Sequence, residues 1–96
     1  MKFILIAYNE AIEDEIQRTL SQLGIENYTQ WDKVYGKGSH SGPHLGTHVW
    51  PKHNNVMAVA VEDEKSGELM DRIRDLRKEY GREGIKAFKL PLEEMT

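Results

Sequence analysis

The sequence predicts an α+β fold in which two helices cover one face of a four-stranded antiparallel sheet. Three observations carry this. Apolar runs of strand length sit at residues 2–8 and 56–61, two stretches with helical periodicity each follow one of them, and strand-like segments occupy 26–35 and 85–90. At 96 residues the chain is one domain, 1–96, with a core thin enough that a second copy would help to bury its surface.

In order along the chain, residues 2–8 are apolar at both alternating sets, Phe3, Leu5, Ala7 and Ile4, Ile6, Tyr8, as suits a central strand. Although apolar, this opening meets Asn9-Glu10 with no small-residue cleavage site, so it reads as a strand and not as a signal peptide. Asn9 can cap the next helix, whose first turns hold Glu10, Glu13, Asp14 and Glu15, where the helix dipole favours anions. Ile12, Ile16, Leu20 and Leu23 form its apolar stripe, and Gly24 ends it in the left-handed conformation that glycine adopts freely. The second strand, Glu26 to Tyr35, is rich in aromatic and β-branched residues.

Residues 36–54 interrupt the regular pattern. Gly36, Gly38, Gly42, Pro43 and Gly46 forbid a helix, and a short strand is expected only at His48-Val49-Trp50 before Pro51. Val56–Val61 is again a central strand. Ser66 is the expected cap of the second helix, Leu69, Ile73, Leu76 and Tyr80 its inner stripe, and Glu68 with Arg72 an outward pair four apart. Gly81 and Gly84 bracket the exit, and the last strand, Ile85 to Leu90, stops at Pro91. This β-α-β-loop-β-α-β order is ferredoxin-like, βαββαβ. One sheet face is left uncovered, and alternation places Trp31 on it, ready to pack against other subunits.

Composition excludes several classes. With no cysteine, thiolate catalysis, disulfides and iron–sulfur clusters are ruled out, in keeping with a cytoplasmic setting. No run approaches the roughly 20 apolar residues of a membrane span, so direct membrane insertion is not expected. The net charge of −3 is unevenly spread: residues 33–55 contain Lys33, Lys37 and Lys52 and no acidic residue. Three lysines are too sparse for a nucleic-acid surface. Lys33 and Lys37 could pair with an anionic effector, the alternative being ordinary solvated lysines.

Several local matches together resemble the P-II nitrogen-regulatory protein family. Thr29, Val34, Gly36 and Gly38 match its "T…V-x-G-x-G" strand leading into a large effector loop, and Leu90-Pro91-Leu92-Glu93-Glu94 is similar to its "I-P-V-E-E" end. The copper-tolerance CutA proteins are similar in architecture. The resemblance implies a homotrimer whose loops enter the clefts between subunits, bind a small effector and act on a regulated protein or transporter. The chain also departs from the family pattern. No tyrosine lies between Tyr35 and Tyr80, so control by uridylylation is not expected. The family's glycine-rich nucleotide loop is reduced here to Gly81, Gly84 and Lys86, which predicts weak or absent nucleotide binding.

The candidate effector residues are accordingly Lys33, Gly36, Lys37, Gly38, Gly42, Gly46, Thr47 and Trp50. Long loops are frequent seats of function, and Trp50 could stack on a ligand ring. His40, His44, His48 and His53 fall within fourteen residues and form a candidate set for Zn, Cu or Ni, because neutral imidazole binds all three. The glycines and proline between them remove the helical spacing that would aim them together, leaving a polar interface loop as the alternative. A third alternative, a small enzyme with His44 or His48 as general base, lacks a visible nucleophile–base–orienter set. No catalytic residue is assigned.

Overall fold

The computed structural model describes residues 1–37, 53–81 and 84–96. Strand β1 (Lys2–Asn9) leads through a 3-10 turn (Glu10–Ile12) into helix α1 (Glu13–Gln22). Strands β2 (Thr29–Val34) and β3 (Asn54–Val61), helix α2 (Asp63–Glu79) and strand β4 (Ile85–Pro91) follow. The sheet order is β2-β3-β1-β4 and every neighbouring pair is antiparallel. This is the ferredoxin-like arrangement expected from the sequence.

Alternation along the two central strands builds the core. Ile4, Ile6 and Tyr8 of β1 and Met57, Val59 and Val61 of β3 face the helices and are buried. Ile16 and Leu20 of α1 and Leu69, Ile73 and Leu76 of α2 close over them. Gly24 has φ +74, the left-handed exit its position predicted, and the Ile25 N–H returns to the Leu20 carbonyl at 2.8 Å.

The opposite sheet face is lined, by register, with Phe3, Leu5 and Ala7 of β1, Val56 and Ala58 of β3, Trp31 of β2, and Phe88 and Leu90 of β4. Trp31, Phe88 and Leu90 are each close to half exposed. No element of this chain among the described residues covers that face.

Three local expectations are corrected. The second helix starts at Asp63 with Glu62 as its cap residue, three positions before Ser66. Ser66 is fully buried in the first turn and donates its hydroxyl to the Asp63 carbonyl at 2.7 Å. A serine hydroxyl can satisfy a backbone acceptor inside a helix as readily as it caps one. The Glu68–Arg72 pair is absent: Glu68 meets Lys65 at 3.5 Å, while Arg72 donates to Gln22 on α1. The second strand is also shorter than expected, beginning at Thr29.

Candidate functional site

His53, which follows 38–52, and Gly84, which follows 82–83, lie at the same end of the sheet. Two consecutive peptide groups at the end of β1 fix both roots. The Asn9 N–H donates to the Gly84 carbonyl and the Glu10 N–H to the His53 carbonyl, each at 3.1 Å. Asn9 is buried, and its side chain accepts from the Ala11 N–H at 2.8 Å, which starts the 3-10 turn at the same point. Cap, turn and both roots are thus set within three residues.

The exit from β2 is irregular. Trp31 pairs with Val56 and Val34 with Asn54, so three steps on one strand face two on the other and the ladder bulges. Lys33 sits in the bulge at φ +56, a conformation that side-chain-bearing residues disfavour. Its N–H is turned to the Asn55 Oδ1 at 3.2 Å. Just beyond, the Tyr35 and His53 rings meet edge to face with centroids 5.2 Å apart. A Cβ at Gly36 would come within 2.7 Å of the Asn54 side-chain Nδ2, which would have to swing aside to admit it.

Beneath this exit lies a polar cluster centred on Glu13. Its Oε1 accepts from the Tyr8 hydroxyl at 2.5 Å, Asn55 Nδ2 at 2.8 Å and Gln30 Nε2 at 3.1 Å, and its Oε2 from Gln17 Nε2 at 2.9 Å. Gln17 and Gln30 are bonded to each other at 3.1 Å, and the Tyr28 hydroxyl reaches Gln17 at 3.3 Å. Gln30 Nε2 also donates to Asp32 Oδ1 at 2.5 Å. Burial, then the bond to Glu13 and its negative charge, push the Tyr8 phenol far above the ordinary tyrosine range.

The favourable helix dipole, the reason given by the sequence for Glu13 among the first-turn acids, is only part of its role. Its helical position brings it under the sheet end, beside residues whose strand parity points inward. The signal was present at Asn55, which shares parity with Met57, Val59 and Val61. An inward amide needs a partner, and Glu13 is one.

Of the expected effector residues, Lys33, Gly36 and Lys37 lie at this exit, all exposed, and His53 stands at the opposite root. Gly38, Gly42, Gly46, Thr47 and Trp50, with His40, His44 and His48, lie outside the described residues, as does the expected 48–50 strand. Among the described residues no three metal-ligating side chains converge. No described helix is long and apolar enough to cross a membrane.

The family model "Nitrogen regulatory protein P-II" matches residues 1–96. A search of curated proteins returns no match. Among solved structures, CPII from Thiomonas intermedia K12 bound to ADP, AMP and acetate superposes with a TM-score of 0.72 at 20% identity, covering 93% of this chain and 82% of that one. The same protein with ADP, AMP and bicarbonate gives 0.68 at 20% identity, covering 97% and 88%. A PII-like signaling protein from Thermus thermophilus gives 0.67 at 18% identity, covering 92% and 82%. At these identities the likeness is one of fold.

Proposed function

The chain belongs to the nitrogen regulatory protein P-II family, and from that premise we propose that it is a cytoplasmic, homotrimeric regulator without catalytic activity. It binds a small anionic effector at the sheet end where His53 and Gly84 are anchored, and it acts through a protein partner. The observation that carries this reading is the shared anchoring of both roots by Asn9 and Glu10. Two residues distant in sequence, His53 and Gly84, are thereby held at one place, in a single domain whose functional loop joins β2 to β3.

Electrostatics select the class of effector. Lys33, Lys37 and Lys86 are exposed at this end, and no acidic residue occurs in 33–55. The CPII structures pair adenine nucleotides with acetate or bicarbonate, and the charges here suit the small-anion share of that pairing. Gly81 and Gly84 alone make a poor phosphate cradle, so nucleotide affinity is weak. The uncovered apolar sheet face, costly to leave in water in a chain this small, supports assembly into the proposed trimer.

Calorimetric titration with bicarbonate, ADP and AMP tests the reading, alongside light scattering for mass. Saturable bicarbonate binding and three times the 11.1 kDa chain mass are expected. A monomer that binds none of the three overturns it. The alternative is a divalent-metal site built from His40, His44, His48 and His53, of which His53 packs edge to face against Tyr35. Zn, Cu or Ni uptake by the wild type that disappears in His44→Ala/His48→Ala would establish that reading instead.

A further inference from the structure

The Glu13 cluster joins four elements at one carboxylate: Tyr8 from β1, Asn55 from β3, Gln30 from β2 and Gln17 from α1 itself. A carboxylate can only accept, whereas an amide has a donating and an accepting end. Glu13 therefore dictates which end of Asn55 faces it. With Nδ2 turned to Glu13 at 2.8 Å, Oδ1 is left facing the Lys33 N–H, 3.2 Å away. Asn55 is only 6% exposed, so water is poorly placed to substitute at either end.

We infer that Glu13 is a positioning residue: its acceptor-only head orients Asn55, and Asn55 in turn holds the Lys33 kink that directs the chain out of β2. The kink needs holding. A lysine at φ +56 is in a conformation that the backbone leaves when nothing maintains it. The bulge removes Lys33 from the regular ladder, so its N–H is satisfied by the Asn55 side chain. Gln30 and Tyr8 share the same Oε1 and fix the carboxylate from two further strands. Turning the Asn55 amide over would set its oxygen against the carboxylate and its NH2 against the Lys33 N–H. One charge thus determines two hydrogen bonds and one backbone conformation.

Glutamine at position 13 is nearly isosteric but carries a donating end. Glu13→Gln can meet Asn55 either way round, and the Lys33 N–H then loses its acceptor for part of the time. Amide exchange measured by NMR reads this directly. The Lys33 amide is expected to exchange at least tenfold faster in Glu13→Gln, relative to the amides of Ile4 and Ile6 in β1, which report general destabilisation. Asn55→Leu is expected to do the same. Equal acceleration at residues 33, 4 and 6 would overturn the inference by reducing Glu13 to a general stabiliser. So would an unchanged Lys33 amide. Should Glu13→Gln fail to fold, the Lys33 amide in Asn55→Leu decides the matter by the same criterion.

The consequence for effector capture rests on the function proposed above. Bicarbonate affinity is expected to fall at least tenfold in Glu13→Gln, because Lys33 and Lys37 leave the same kink. A wild type that ignores bicarbonate refutes that function and leaves the exchange data to judge the positioning role.

Discussion

Replacing Tyr8 by phenylalanine removes one hydroxyl from the Glu13 cluster and leaves the ring, which is 1% exposed, in the core. A hydrogen bond to a charged acceptor contributes about 1.5–3 kcal/mol. Glu13 keeps three other donors, which argues for the lower part of that range, about 2 kcal/mol at pH 7. The pH dependence is more diagnostic. The folded phenol is held above the unfolded value by burial and by Glu13, so its stabilisation is fully present below about pH 10. It is lost as pH rises from there toward the folded value, because the unfolded chain gives up the proton first. One unit above the unfolded value removes about 1.4 kcal/mol. The wild-type advantage should therefore shrink from about 2 to about 0.6 kcal/mol between pH 7 and pH 11. Tyr80, whose phenol is also raised, is present in both proteins and cancels. Urea unfolding of both proteins across this range is the assay. An advantage that is below 0.5 kcal/mol at pH 7, or that stays constant to pH 11, would refute the reasoning.

Asn9→Ala removes the acceptor for the Ala11 N–H and should cost about 1 kcal/mol in urea unfolding. Ile6→Ala opens a cavity at a position with no solvent exposure and should cost about 2–5 kcal/mol by the same measurement. Trp31→Glu places a charge on the open sheet face and should reduce the light-scattering mass from that of the proposed trimer toward one chain, without altering the circular dichroism of the subunit. Asp63 lies 3.1 Å from the N-terminal ammonium, whose hydrogen bond holds its carboxyl below the ordinary range. As pH falls in an NMR titration, Asp63 should keep its charge below the pH at which a model aspartate protonates, about 3.9.

Much of the fold was legible because its strands announce themselves. The two central strands are apolar at nearly every position, and the two helices repeat at 3.6 around short stripes, so element order and layer arrangement followed directly. Errors arose where a side chain has two ways to satisfy the same group. Ser66 has the composition of a cap yet is buried inside the helix, and Glu68 has a basic residue at each of two helical spacings and takes the nearer one. The site was legible only at its exit. Glycines and lysines mark Lys33, Gly36 and Lys37, whereas Glu13 is one of several acids in a helix start where acids are ordinary. What separates Glu13 from Asp14 is the presence of Tyr8, Gln30 and Asn55 around it, drawn from three strands. Local spacing cannot display such a meeting, because it exists only once the sheet has formed.

The dipeptide Asn9-Glu10 gives the fold a common reference point for two otherwise separate stretches of chain. Neither stretch is measured from the other. Each is measured from the end of β1, so residues can be gained, lost or exchanged in one without displacing the place where the other begins. Two residues, 82–83, and a stretch of fifteen that holds His40, His44 and His48, 38–52, can then share one scaffold. The scaffold fixes where the two arise, and each is left free to take up a different chemistry.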